Sequence, residues 1–149
     1  INKDRDVKNL AMRLSESMFY SVMINYSLKF LIGRARPYVN KEEFNFEPFS
    51  ISESQTSLPS GHSTFAFAFG NTMAKEYNNF LWKFGWYSIA ALVSYARVYN
   101  NVHWFSDIIF GAAIGYFTSE FVNNHKTNTK QLNIQQADIY KINFIIPIK

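Results

Sequence analysis

The fold is decided by FLWKFGWYSIAALVSYARVYNNVHWFSD, residues 80–107. Over Phe84–Ala96 this stretch has almost no polar face, and a helix of that kind lies in a protein core or in a membrane. Its 13 residues are fewer than the roughly 20 that a spanning helix needs. The pattern therefore favours a helix in a buried core, over about Phe80–Val98. The turn at Tyr99–Asn101 leads to a second apolar helix, expected over Trp104–Val122.

Two more helices are predicted nearer the N-terminus. A helix from about Asp6 to Arg34 is indicated by apolar residues at four-residue steps, which are Leu10, Leu14, Met18, Val22 and Tyr26. Pro37 should end it, because the residue before a proline is disfavoured in a helix. A further helix should run from His62 to about Tyr77. The sequence thus predicts an all-α protein, a bundle of about four to six helices.

The chain divides into a helical part and a polar tail. A length of 149 residues fits one domain, and we expect it over residues 1–125, with a C-terminal tail over 126–149 in which residues 142–148 form a short strand or an extended segment. We expect a loop over residues 38–58. The acidic segment, residues 42–59, is expected to lie over the entrance of a pocket. Because the chain begins at Ile1 without the pattern of a signal peptide, we expect a processed or truncated product.

Composition excludes several classes of protein. A hydrophobic share of 48% with 17% charged residues is typical of a folded chain rather than a disordered one. The absence of cysteine excludes a disulfide scaffold, thiolate metal sites and a cysteine nucleophile. The net charge is only +4, and the basic residues are too sparse to form a surface that binds nucleic acid. Core or interface positions, rather than base stacking, are expected for Trp82, Trp86 and Trp104.

Two charges, Arg97 and Asp107, interrupt the most apolar part of the chain. Burying an unpaired charge is costly, so each needs a partner. His103 lies four residues before Asp107, a spacing that places two side chains on one face of a helix. A carboxylate that holds one ring nitrogen of a histidine fixes its tautomer and makes the other nitrogen a better nucleophile. The pair predicts an oriented base or nucleophile or, more simply, a helix cap with an ion pair.

The start of the helix that follows Pro59 is a candidate anion site. Gly61 lets a ligand approach the backbone closely, and the first N–H groups of a helix attract anions. His62 would stand beside such a ligand. The structural alternative is a plain helix start, with Ser60 as its cap and His62 on the surface.

A second cationic pattern lies at the end of the first helix. Lys29 and Arg36 are seven residues apart, about two helical turns, and would share one face, with Gly33 leaving room for a ligand between them. An ammonium and a guanidinium suit a tetrahedral oxyanion. The alternative is a basic helix end that stabilises its own dipole.

In this order the three patterns resemble the signature of a known superfamily. Lys-x6-Arg-Pro from Lys29, Pro-Ser-Gly-His from Pro59 and Arg-x5-His-x3-Asp from Arg97 are similar to the three motifs of the type 2 phosphatidic acid phosphatases. Bacterial acid phosphatases, lipid phosphate phosphatases, polyprenyl diphosphate phosphatases and vanadium haloperoxidases belong to this superfamily. The resemblance covers residues 29 to about 115. One departure is that Ala96, rather than a serine, precedes Arg97.

The resemblance implies a phosphatase site with defined roles. His103 would attack phosphorus and form a phosphohistidine while Asp107 holds its other nitrogen, and His62 would act as general acid and then as base. The phosphate oxygens would be held by Lys29, Arg36, Ser60, Gly61 and Arg97. The resemblance implies no metal and no other cofactor, and vanadate is expected to inhibit.

Three functions stay open at this point. The first is a phosphatase acting on a lipid phosphate, a polyprenyl diphosphate or a small phosphomonoester; the others are a vanadate-dependent haloperoxidase and a non-catalytic anion-binding module. We expect a bacterial cell-envelope protein on the periplasmic side, soluble or membrane-associated, with a membrane surface as a candidate partner and no nucleic acid. Arg34 is expected to be a solvated helix residue, unless it exchanges roles with Arg36, and His125 a surface residue.

Overall fold

The protein is all-helical in the part that the structure describes. The structure, a computed structural model, describes the backbone of residues 3–39 and 42–145 and the side chains of residues 4–39 and 42–125. Its long helices are α1 (Lys3–Ile32), α2 (Gly61–Ala74), α3 (Phe80–Tyr99) and α4 (Phe105–Ile145). Two short 3₁₀ turns, Pro37–Val39 and Glu53–Gln55, lie in the connection between α1 and α2. The predicted all-α bundle is confirmed.

Helix α1 ends because of Gly33 and not, as predicted, because of Pro37. Gly33 adopts a left-handed φ of +61°, and its N–H donates to the carbonyl of Lys29 at 3.0 Å. A glycine in this conformation is a common helix stop. A side chain at Gly33 would collide with the backbone of Glu47. The glycine thus brings the loop against the helix end and leaves no ligand space there.

Close packing between α2 and α4 brings two helix starts together. Side chains at Gly111 and Gly115 would collide with the α2 backbone at Ser60 and Thr64. The two glycines therefore let the helix axes approach each other. At the same end, the N–H of Ser60 donates to the carbonyl of Asp107 at 2.9 Å. This hydrogen bond joins the first turns of α2 and α4.

The interior is polar, and many large apolar side chains face outward. The largest fully buried side chains include Asn25, Asn71, Thr64 and Thr72. Asn71, for example, donates to Ser119 at 2.9 Å and accepts from the hydroxyl of Tyr87 at 2.6 Å. In contrast, the predicted core helix α3 exposes 74% of Leu81 and 66% of Leu92. The prediction of a buried apolar core is therefore wrong for the outer face of α3.

The C-terminal part of the chain differs from the prediction. Helix α4 continues to Ile145, past the boundary predicted at residue 125. Residues 142–145 are helical and not part of a strand, and residues 146–149 lie outside the described residues. Among the described helices, none is both long and apolar enough to cross a membrane.

Candidate phosphate site

His103 and Asp107 meet at the start of α4. His103 is 3% exposed and Asp107 is fully buried, and the Nδ1 atom of His103 lies 3.6 Å from Oδ2 of Asp107. His103 precedes the first turn of α4, so the two residues do not share a helix face as predicted, yet they still face each other. Burial lowers the pKa of His103, and Lys29 and Arg36 act in the same direction, against the opposing effect of Asp107. The imidazole is therefore neutral at neutral pH and has a free electron pair.

The carboxylate of Asp107 is held by groups from three parts of the chain. Its Oδ2 accepts from the hydroxyl of Ser57 at 2.5 Å and from the backbone N–H of Trp104 at 2.9 Å. Its Oδ1 lies 2.6 Å from Nη1 of Arg34. Burial raises the pKa of Asp107, but the nearby His103, the hydrogen bonds from Ser57 and from the N–H of Trp104, and the charge of Arg34 outweigh burial and lower the pKa below its ordinary value. Asp107 is therefore ionised.

Arg34 and Ser57 were missed by the sequence analysis. Arg34 is 5% exposed and lies beyond the end of α1, so the expectation of a solvated helix residue is wrong. Its contact with Asp107 spans 73 positions of the sequence, and that of Ser57 spans 50. No local sequence pattern predicts either contact. The burial of Arg34 beside Gly33 becomes visible only in the three-dimensional structure.

Lys29 and Arg36 converge on Thr56. The ammonium of Lys29 donates to the carbonyl of Thr56, and Nη2 of Arg36 lies 3.4 Å from the hydroxyl of the same residue. Since α1 ends at Ile32, Arg36 does not share a helix face with Lys29 as predicted, and the loop brings the two cations together instead. Burial lowers the pKa of Lys29 to about 8, with Arg36 acting in the same direction and Asp107 against it.

The start of α2 presents Gly61 and His62 beside these cations. The hydroxyl of Ser60 caps the helix by accepting from the N–H of Ser63, as the structural alternative predicted. Burial lowers the pKa of His62, and the nearby Arg97, His103, Arg36 and Lys29 lower it further. His62 therefore lies within electrostatic reach of each of these four groups. His62 is exposed, and a ligand can reach it.

Two guanidinium groups keep unused donors at the site. The Nε atoms of Arg36 and Arg97 are buried and lack a hydrogen-bond partner, and Arg97 forms no ion pair with any residue that the structure describes. Asn25 adds an unpartnered acceptor, Oδ1, which lies 3.6 Å from the position that a Cβ atom on Gly61 would take. Buried donors without partners are costly, and an oxyanion would satisfy them.

An apolar cavity of about 570 Å³ adjoins the site. Its lining includes Asn25, Gly61 and His62 and the apolar residues Val22, Phe65, Phe69, Trp86, Ile89 and Val93. Loop residues 42–59 are not among its lining residues, so the loop that was expected over the pocket entrance does not line this cavity. In the described part of the chain, no group of three or more His, Asp or Glu residues has the arrangement of a metal site.

The structure thus brings together the eight residues that the sequence analysis singled out. These residues are Lys29, Arg36, Ser60, Gly61, His62, Arg97, His103 and Asp107. They come from the end of α1 and the loop that follows it, from the start of α2, from the end of α3, and from the start of α4 and the turn just before it. His125, as expected, is exposed, on α4.

Comparison with known proteins identifies the family of this chain. A family model, the PAP2 superfamily, matches residues 10–129, and the chain belongs to this superfamily. It is 33% identical over 105 residues to a lipid A 1-phosphatase of Rhizobium johnstonii, covering 69% of this chain and 42% of that protein. It is 31% identical over 105 residues to an undecaprenyl-diphosphatase of Sulfolobus acidocaldarius, covering 66% of this chain and 50% of that protein.

A solved structure shows the same fold. The crystal structure of Aquifex aeolicus LpxE superposes with a TM-score of 0.66 at 24% sequence identity, covering 78% of this chain and 68% of that one. The chain spans half or less of the length of the two curated relatives described above.

Proposed function

We propose that the protein is a phosphatase that hydrolyses a phosphorylated lipid through a phosphohistidine intermediate and needs no metal. The observation that carries the proposal is the buried His103–Asp107 pair, in which Nδ1 faces the carboxylate at 3.6 Å. Because Nδ1 faces the carboxylate, Nε2 is the ring nitrogen available for attack. The three cations Lys29, Arg36 and Arg97 supply the positive charge that a phosphoryl group requires.

The first step transfers the phosphoryl group to His103. The Nε2 electron pair attacks phosphorus and the P–O bond to the leaving group breaks. His62, protonated when the negative charge of the bound phosphate offsets the cations that lower its pKa, donates a proton to the departing oxygen. Asp107 stabilises the imidazole as it becomes positively charged. The cations and the N–H of Gly61 hold the remaining phosphate oxygens.

The second step regenerates the enzyme. His62, now neutral, removes a proton from a water molecule, and the resulting oxygen attacks phosphorus. The P–N bond to His103 breaks and its electron pair returns to Nε2. Inorganic phosphate leaves, and His62 holds the proton needed for the next turnover.

A lipid substrate is supported by the cavity beside the site and by the relatives. The cavity walls between α1, α2 and α3 are mostly apolar, and a hydrocarbon chain attached to the phosphate would fill them. The relatives named above act on lipid A and on undecaprenyl diphosphate. The exposed apolar residues of α3 and α4 support a membrane-associated protein, and the proposal places it in the cell envelope with the site on the periplasmic side.

The proposal is tested by trapping the covalent intermediate. Protein quenched shortly after addition of ³²P-labelled phosphatidic acid should carry label that is labile in acid and stable in base, as expected for a phosphoramidate. His103→Ala should carry none and should lose activity, and Asp107→Asn should lose activity by about 10⁴-fold, by analogy with the aspartate of serine proteases. His125→Ala is the matched control and should behave as wild type. EDTA should leave the rate unchanged, and vanadate should inhibit competitively.

Other results would contradict separate parts of the proposal. Label that persists in His103→Ala would assign the nucleophile to another residue. A rate that is lost in EDTA and restored by a divalent ion would show that the reaction needs a metal. Hydrolysis of a soluble aryl phosphate with no hydrolysis of phosphatidic acid or a polyprenyl diphosphate would contradict a lipid substrate.

A further inference from the structure

The side chain of Arg34 is committed to protein groups on several sides. Its Nη1 donates to Oδ1 of Asp107 at 2.6 Å and to the hydroxyl of Ser106 at 2.7 Å. Its Nε donates to the carbonyl of Glu43 at 2.8 Å, and the guanidinium lies 5.5 Å from the centre of the Trp104 ring. At 5% exposure, Arg34 cannot turn toward a substrate without breaking these contacts.

The two oxygens of Asp107 have separate tasks. Arg34 contacts Oδ1, whereas Ser57, the N–H of Trp104 and His103 all face Oδ2. A carboxylate is planar, so fixing Oδ1 also fixes the direction of Oδ2. The position of Arg34 therefore determines whether Oδ2 points at the Nδ1 atom of His103.

Arg36, two residues later, is in the opposite situation. Its Nε is buried without a hydrogen-bond partner, and its contacts with Thr56 at 3.4 Å and Glu53 at 3.9 Å are long. Arg36 thus keeps donors free for an oxyanion, whereas Arg34 has used its Nε and Nη1 on protein acceptors. The two arginines do not exchange roles.

We propose that Arg34 is a positioning residue, which acts on the reaction by holding Asp107 in line with His103 and takes no part in binding the phosphate. The proposal rests on the proposed function, because it concerns the orientation of the nucleophile. A guanidinium reaches Asp107, Ser106 and the carbonyl of Glu43 together. An ammonium is a point donor on a flexible stem, so a lysine at position 34 would keep the charge and lose the direction.

The test compares matched substitutions of the two arginines. Arg34→Lys should lower kcat by about tenfold or more and leave the inhibition constant for tungstate, a tetrahedral oxyanion, within about twofold. Arg36→Lys should raise the tungstate constant by about tenfold, because it removes a direct donor to the anion. A merely structural defect would change kcat and tungstate binding together.

A double variant covers the case in which a single substitution prevents folding. Removing one partner of a buried ion pair leaves an uncompensated charge, whereas replacing both partners does not. If Arg34 acts through Asp107, Arg34→Met combined with Asp107→Asn should be no slower than Asp107→Asn by itself. Circular dichroism of each variant confirms that it is folded.

Three results separate the possibilities. Losses that multiply in the double variant would show that Arg34 acts independently of Asp107 and would overturn the proposal. Tungstate binding weakened in Arg34→Lys as much as in Arg36→Lys would place Arg34 among the phosphate ligands and would also overturn it. Wild-type protein that binds tungstate and turns over no phosphate ester would contradict the proposed function instead.

Discussion

Asp107 combines a structural and a chemical task in one carboxylate. As the third residue of α4 it reaches back to accept the N–H of Trp104 at 2.9 Å, which is the geometry of a helix cap. With the same oxygen it faces His103. The cap and the oriented histidine were alternatives in the sequence analysis, but in the structure the same carboxylate both caps α4 and faces His103.

The pKa of Lys29, lowered to about 8, predicts a pH dependence of anion binding. The ammonium is charged below that pH and neutral above it, so the inhibition constant for tungstate should rise as the pH increases through about 8. Lys29→Arg should remove this rise, because a guanidinium stays protonated. Lys75→Arg, which alters a lysine paired with Glu120, is the control and should keep it. A rise that survives in Lys29→Arg would assign the titration to another group.

The role of His62 predicts a dependence on the leaving group. A general acid matters most when the departing oxygen is a strong base. His62→Ala should therefore lose about 10²–10⁴-fold in hydrolysis of an alkyl phosphate and much less in hydrolysis of a nitrophenyl phosphate. The ratio of kcat/KM values for the two substrates measures this effect. Equal losses would contradict the assignment of His62 as the acid.

At the level of the helices, local signals predicted where three of the four begin. Ser60 caps α2 and Asn79 caps α3 by accepting from Trp82, and both residue types are typical caps. The end of α1 was placed wrongly because Pro37 and Gly33 both indicate a stop, and the choice depends on the loop at Glu47. The end of α4 was placed wrongly because a polar segment can continue as a helix.

Two helix glycines, Gly115 at the α2–α4 contact and Gly85 on α3, predict opposite effects of the same substitution. Gly115→Ala should lower the free energy of unfolding by about 1–3 kcal/mol, because its Cβ would collide with the α2 backbone. Gly85→Ala should raise it by about 0.5–1 kcal/mol, since nothing lies within 4 Å of that position and alanine favours helix. Chemical denaturation measures both values. A Gly115→Ala variant as stable as wild type would show that the helices separate without cost.

At the level of the whole molecule, hydrophobic periodicity could not predict that the interior is polar and that many large apolar side chains face outward. Periodicity shows which residues share a helix face, but it does not show which face is turned inward. The small polar residues of α1, such as Ser17 and Ser21, are fully buried, whereas Phe19 is 61% exposed. The interior is filled by hydrogen-bonded side chains and close helix contacts, and these depend on partners far away in the sequence.

The exposed apolar surface of α4 predicts binding to lipid vesicles. Ile109, Phe117 and Phe121 on α4 are exposed by 57%, 68% and 70%, and their spacing places them on one face. Replacing all three with serine should weaken co-sedimentation with phosphatidylglycerol vesicles by about tenfold or more. Val7→Ser, at a residue 60% exposed in the charged start of α1, should leave it unchanged. Undiminished binding of the triple variant would place the lipid contact elsewhere.

The double use of Asp107 constrains how a protein with this site can lose its activity by mutation. Loss of His62 removes an exposed side chain, and no cap or buried ion pair goes with it. Loss of Asp107 removes the cap of α4 and leaves the charge of Arg34 buried without its ion-pair partner. Both effects lower the stability of the fold. In homologues that have lost catalytic activity, His62 should therefore be substituted first, whereas Arg34 and Asp107 should be retained together. A sequence with that pair but without His62 would mark an inactive branch of the lineage.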